Sequence, residues 1–240
     1  MKNIFKGFAL CISMLTIFPF FKIHDFNKGI NGYAVMFYPL VGFLLGSILW
    51  AIFELLSGNL ASSHLGIIIF GTWILITGAL HLDGLSDTID GLFVNREKAL
   101  EVMKDSHVGG MGMVFTIVFL ILKASSLSVF EAFYLLPIVL MLSRFNAVVA
   151  IYLFPYITKD GMGALAKEEL KTHQVLIALL YVIILSFSSL WLIAISLSVL
   201  TLCAIFFIKR YGGFSGDIYG FSIEITELIL LNTILVSISQ

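Results

Sequence analysis

Seven apolar runs, near 32–56, 64–80, 112–129, 133–153, 175–189, 191–208 and 221–238, leave this chain few folds to choose from. Each approaches the roughly 20 residues that a helix needs to cross the hydrocarbon core of a bilayer. Inside lipid every backbone N–H and C=O must be satisfied by the protein itself, which helices and closed barrels achieve, and the lack of period-two alternation excludes the barrel. With 60% hydrophobic and 12% charged residues and a mean hydropathy of +1.05, the composition lies outside that of soluble domains. The expectation is an all-α polytopic membrane helical bundle with about seven transmembrane helices, built as a single domain over 1–240 without tandem repeats or linkers. The stretch 175–208 is divided at Ser188-Ser189-Leu190, its most polar point. The segment 4–20 is short, ends at Pro19 and has Lys2, Lys6, Lys22 and Lys28 around it. No small-residue cleavage site follows it, so it reads as an N-terminal interfacial or re-entrant helix retained in the mature protein.

Loop charges set the topology, because Lys and Arg favour the cytoplasmic side. Lys22 and Lys28 fall in 20–31, Arg96, Lys98 and Lys104 in 81–111, Lys159, Lys167 and Lys171 in 154–174, and Lys209 and Arg210 in 209–220. The intervening turns near 60, 131 and 190 hold no basic residue. This alternation predicts a multi-pass protein with its chemistry on the cytoplasmic side. Lys123 and Arg144 remain within spans, and Lys123, nearer the outer face, is expected to snorkel. The net charge of −1 with scattered basic residues argues against nucleic-acid binding. Cys11 and Cys203 lie far apart inside apolar runs and form no metal or redox spacing.

Charge is concentrated in one place, Leu80-His81-Leu82-Asp83-Gly84-Leu85-Ser86-Asp87-Thr88-Ile89-Asp90-Gly91. On a helix Asp83, Asp87 and Asp90 stand at i, i+4 and i+7 and share one face, where like charges repel. Such a cluster at a membrane edge calls for a cation. Hard carboxylate oxygens suit Mg²⁺, which is commonly held by a few carboxylates together with substrate phosphates, and Asp105 offers a fourth. His81 and His107 lack the spacing of a zinc motif and read as hydrogen-bonding partners. Glu97 and Glu101 look like an ordinary solvated helix face. Farther on, Gly212, Gly213, Gly216 and Gly220 surround Asp217, which serves either as a helix cap or as part of a ligand site. Glu224 and Glu227, at i, i+3 in an otherwise apolar helix, should face the bundle interior, with Arg144 as partner and Glu224 as the favoured member of the pair.

Taken together, His-Leu-Asp-Gly-Leu-x-Asp-Thr-x-Asp-Gly at 81–91, Met-Lys-Asp-Ser at 103–106, Ser143-Arg144 and Gly-Gly-x-x-Gly-Asp-x-x-Gly-x-x-x-Glu-x-x-Glu at 212–227 resemble the cobalamin synthase family. These are the adenosylcobinamide-GDP ribazoletransferases, and the likeness runs from Tyr38-Pro39-Leu40-Val41-Gly42 to the last helix. Ser86, His107 and Ser215 stand where the family usually has Ala, Arg and Thr. The resemblance implies a bacterial inner-membrane enzyme that uses Mg²⁺ to join adenosylcobinamide-GDP to α-ribazole, or to its 5′-phosphate, with release of GMP. By the same likeness Asp83, Asp87 and Asp105 are expected to hold the metal, and Asp90 or Asp217 to take the hydroxyl proton. His81 joins these as a catalytic candidate, and Lys104, His107, Arg144, Gly213, Gly216, Glu224 and Glu227 are candidates for substrate contact. Membrane lipid is the expected surround, and a homo-oligomer is compatible with the sequence. The CDP-alcohol phosphotransferases are a weaker likeness, since their Asp-Gly-x-x-Ala-Arg signature is missing. A cation path is a poorer fit, because the acids gather at one end of the spans.

Overall fold

The computed structural model describes residues 2–18, 28–105, 107–158 and 161–238. Pro19, Lys22 and Lys159, which figure in the predicted loop topology, lie outside them, as does Ser106. The described residues form twelve α-helices and two short 3₁₀ turns, Phe133–Leu135 and Phe187–Ser189. In chain order the helices are α1 (Lys2–Leu15), α2 (Ile30–Met36), α3 (Tyr38–Leu56), α4 (Ser62–Thr77), α5 (Leu80–Leu92) and α6 (Arg96–Val102). They continue with α7 (Gly110–Ser128), α8 (Leu136–Leu153), α9 (Met162–Glu169), α10 (Thr172–Leu185), α11 (Leu190–Tyr211) and α12 (Gly216–Ile238). The chain is thus an all-α membrane bundle.

Among the described residues five helical segments are individually long and apolar enough to span: Tyr38–Leu56, Gly110–Ser128, Phe133–Leu153, Phe187–Tyr211 and Gly216–Ile238. A sixth arises if Ser62–Thr77 and Leu80–Leu92, bent by 85° at their junction, count as one broken span. The predicted count of about seven is reached only with α10, whose 14 residues rise about 21 Å at 1.5 Å per residue, short of the ~30 Å hydrocarbon core. The apolar run 32–56 is likewise not one helix. It breaks at Phe37 into α2 and α3, and Pro39 sits in the first turn of α3, where a missing N–H costs nothing. The division of 175–208 holds, with the break at the 3₁₀ turn Phe187–Ser189.

Helix α8 is the axis of the bundle. Nearly every side chain from Leu136 to Ile151 is buried, whereas α7 shows lipid-ready Val114, Val118, Ile121 and Leu122 on its outer side. A helix apolar all round either sits in the core or faces lipid, and these two show both outcomes. α3 and α12 flank α8, α4 lies along α7, and α5 is laid against both α12 and α7. At the start of α2, the carboxylate of Glu169 accepts hydrogen bonds from the backbone N–H (2.8 Å) and side-chain amide (2.9 Å) of Asn31. Burial opposes the charge on Glu169, yet these bonds, with those from Gly29 and Gly32, hold it below the usual carboxylate range. This ties α9 across the N-terminal part of the fold.

Two cavities gather residues from opposite ends of the spans. Tyr134 and Ser188, beside the turns near 131 and 190 that lack basic residues, line one cavity together with Ile238 at the end of α12. His81, Met162 and Gly216, from the basic loops, line another.

Candidate active site

The turn between α4 and α5 builds the site. Gly78 (φ 60°) and Ala79 (φ 56°) are both left-handed, which turns the chain through about a right angle and releases α5 at 85° to α4. Glycine takes such a φ freely, whereas alanine adopts it at a cost. On α5 the apolar residues Leu82, Leu85 and Ile89 face Phe119, so the polar residues of the same helix turn elsewhere. Close approach of α5 and α12 depends on Gly84, where an added Cβ would lie 2.9 Å from the Asp217 carbonyl oxygen. Asp83 and Asp87 thereby meet Asp217, from a segment more than a hundred residues away. The charges of Asp83, Asp217 and Asp90 all bear on Asp87, and that of Lys104 bears on Asp217.

Asp217 is not the cap of α12. Ser215 Oγ accepts from the Ile218 N–H (3.3 Å) and fills that role, leaving Asp217 in the first helical turn, where a negative charge is favoured by the helix dipole. Asp83, Asp217 and His81 line one cavity of about 240 Å³ whose remaining wall is mostly apolar. Among the described residues no three His, Cys, Asp or Glu side chains are grouped closely enough to hold a metal ion unaided.

Several predicted site residues sit elsewhere. The Asp90 carboxylate, 8% exposed, accepts from the N–H of Gly109 on Oδ2 (2.8 Å) and of Gly112 on Oδ1 (2.8 Å). Both oxygens are engaged in holding the first turn of α7, so Asp90 is an anchor and a poor proton acceptor. Asp105 does not join Asp83 and Asp87. Its side chain is 58% exposed and is held by His107, Nδ1 lying 2.7 Å from Oδ1, and this bond keeps the Asp105 carboxyl below the usual range. Lys104 is exposed nearby. Gly213 is taken by packing, since a Cβ there would lie 2.3 Å from the Pro155 carbonyl oxygen. The adjacent Phe214 N–H donates to that same oxygen (2.9 Å), and Ile157 N–H donates to Phe214 (2.9 Å). Gly216 lines the cavity.

The buried charges pair differently from the expected Arg144 with Glu224. Arg144 donates from Nη1 to Glu227 and to Ser143 Oγ (2.9 Å), while Glu224 pairs with Lys123, Nζ to Oε2 at 2.6 Å. Lys123 also reaches Glu227 (2.5 Å) and lies 4.1 Å over the Trp73 ring. Lys123 is 2% exposed and does not snorkel. With about 3.6 residues per turn, glutamates at i, i+3 both point inward, and Glu227, nearly one turn farther along α12, lies between the two cations. Arg144 Nη2 also approaches His81 Nδ1 at 3.4 Å, connecting the network to the cavity wall. Arg144, Glu224 and Glu227 are thus interior groups, and none of them lines the cavity. Lys123 was the residue whose role sequence reasoning missed, although a lysine inside an apolar run already signalled a buried acid partner. Tyr38 and Tyr219, also cavity residues, gave no such signal, because aromatic residues are common throughout the chain.

The close packing at Asp90 yields a direct test. A Cβ on Gly112 would lie 2.3 Å from Asp90 Oδ2, so Gly112→Ala should break the anchor. Thermal unfolding in detergent is expected to shift down by about 1–3 kcal/mol, and an unchanged melting curve would refute the anchoring role.

A bundle of membrane-spanning helices whose acidic residues converge on a cleft at one end defines the class: a polytopic membrane protein with a carboxylate-lined site. The chain belongs to the cobalamin-5-phosphate synthase family, which it matches over residues 7–235. It is similar to the adenosylcobinamide-GDP ribazoletransferase of Desulforamulus reducens, with 38% identity covering 96% of each chain. Proteins of the same name from Acinetobacter baumannii and Fusobacterium nucleatum are each 33% identical, with coverage of 96% of this chain and 97% of theirs. No solved structure matches the fold.

Proposed function

We propose that this chain is an adenosylcobinamide-GDP ribazoletransferase of the bacterial inner membrane, acting on its cytoplasmic side. The observation that carries the proposal is the convergence of Asp83 and Asp217, from two facing helices, on one cavity, in a chain whose full-length relatives bear that name. The acceptor hydroxyl, from α-ribazole or its 5′-phosphate, attacks the corrinoid-side phosphorus of adenosylcobinamide-GDP. A new O–P bond forms, the P–O bond to GMP breaks, and GMP leaves with the electron pair. Such a displacement depends on positioning and on neutralising charge far more than on covalent chemistry.

The donor set fits Mg²⁺, since clustered hard oxygens that repel one another are what that ion neutralises. Asp83 and Asp87 would hold it, with substrate phosphate and water completing the shell, and bound there it would neutralise the diphosphate. Asp217 is our proton acceptor, because the alternative, Asp90, already accepts two backbone hydrogen bonds. Lys104, whose charge bears on Asp217, offers the nearby cation for phosphate. His81 Nδ1 lies 3.4 Å from Arg144 Nη2, and because a guanidinium can only donate, the neutral imidazole carries its ring proton on Nε2.

Purified protein in detergent, given adenosylcobinamide-GDP, α-ribazole and Mg²⁺, is expected to release GMP, and its failure to do so would reject the activity. The sidedness has its own test. With Cys11 and Cys203 replaced, a single cysteine at position 60 should react with an impermeant reagent on intact cells and one at 95 should not. Labelling at 95 would overturn the topology.

A further inference from the structure

We infer that the cavity beside Asp83 and Asp217 receives the nucleoside acceptor, with its flat, uncharged aromatic base in the apolar end and its ribose toward the carboxylates. This rests on the transferase reading above and assigns one of that reaction's two substrates to a place. Four observations support it. The first is size: at about 240 Å³ the cavity lies below the roughly 300–1,000 Å³ of ordinary ligand pockets, too small to enclose a corrinoid macrocycle and closer to the scale of the smaller substrate. The second is charge. The cavity's described lining contains Asp83 and Asp217 but no Lys or Arg, so it suits an uncharged nucleoside better than a diphosphate, and Lys104, whose charge bears on Asp217, lies outside that lining.

The third is polarity. His81, Asp83 and Asp217 contribute polar groups, whereas Leu15, Tyr38, Ala147, Ile151 and Ile223 offer an apolar surface. A base linked to a ribose has that same division, and a ribose held at the carboxylates would put a hydroxyl beside Asp217. The fourth is an unpartnered polar group. Tyr219, 7% exposed, lines the cavity, and its hydroxyl is buried without a hydrogen-bond partner. A buried tyrosine hydroxyl ordinarily finds a partner, and a ligand in the adjoining cavity supplies one after a small shift of the ring. That ring is already held in a parallel aromatic stack, 5.4 Å from Phe214 and 6.0 Å from Tyr156, an arrangement suited to positioning it against a flat base.

The inference also gives work to parts of the chain that the reaction does not otherwise use. The end of α1 supplies Leu15 and α9 supplies Ala166, so an N-terminal helix and a loop helix close the acceptor's chamber.

Steady-state GMP release and calorimetric binding of α-ribazole, on the full chain in detergent, test the assignment. Ala147→Leu should fill the apolar end and raise KM for α-ribazole about tenfold or more, leaving KM for adenosylcobinamide-GDP within about twofold of wild type. Tyr219→Phe, which removes one oxygen and keeps the fold, should weaken α-ribazole binding about fivefold while its melting temperature holds or rises. A rise confined to the adenosylcobinamide-GDP KM would hand the cavity to the donor and overturn the inference. Unchanged α-ribazole binding in both variants would overturn it too. If wild-type protein bound α-ribazole but released no GMP, the transferase reading would fail, and loss of that binding in the variants would still locate the nucleoside in this cavity.

Discussion

Asp83→Asn and Asp87→Asn are each expected to lower GMP release by at least about 10²-fold, the scale seen when one group that stabilises transition-state charge is removed. Glu97→Gln and Glu101→Gln should leave it within about twofold. All four residues lie within a stretch of nineteen positions, 83–101, and all four changes remove one negative charge. Their surroundings differ. Asp83 lines the cavity with Asp217, and Asp87 feels the charges of three other carboxylates, whereas Glu97 and Glu101 are exposed on α6. Folding should survive in the first pair, because neutralising one member of a repelling cluster relieves repulsion in the metal-free protein. Melting curves close to wild type beside lost turnover would support the assignment. Equal loss of activity in all four variants would refute it.

The second large effect concerns stability. Glu227 is fully buried and faces both Arg144 and Lys123, so Glu227→Gln leaves one cation in excess within the membrane interior. Breaking a buried ion pair from one side costs about 3–5 kcal/mol, and the guanidinium cannot shed its proton to escape. We expect the protein to melt well below wild type or to fail purification. Glu224→Gln should be milder, since Lys123 keeps Glu227. The double variant Lys123→Met, Glu224→Gln removes one charge of each sign and should be more stable than Lys123→Met alone. Strictly additive losses in this cycle would rule out the coupling, and a wild-type melting curve for Glu227→Gln would rule out the network itself.

Function was more legible than geometry. The spacing of Asp83, Asp87 and Asp90 marked α5 as a polar face, and the Asp217 segment stood out by its glycines. Neither pattern could tell which carboxylates face one another. Asp90 looked equivalent to Asp83 and Asp87 on a helical wheel, yet it lies where α7 begins and two free N–H groups claim it. Asp105, a plausible ligand by proximity in sequence, folded back onto His107. Arg144 was correctly read as needing an acid, but a depth judged from position along a run is uncertain by a turn, and one turn separates Glu224 from Glu227.

What the sequence determined by itself is the architecture, an all-α membrane bundle. Lipid leaves the backbone almost no alternative to the helix, so apolar runs translate into helices, most of them long enough to span. Breaks and partners were decided only in three dimensions. Phe37 interrupts a continuous apolar run, and the left-handed pair Gly78 and Ala79 turns α5 away from α4, although neither event alters hydropathy. The pairing of Lys123 with Glu224 and of Arg144 with Glu227, and the meeting of Asp83 with Asp217, depend on how α5, α7, α8 and α12 pack. That packing is set by side-chain volumes and close backbone approaches between distant segments, which a one-dimensional pattern of polarity does not encode.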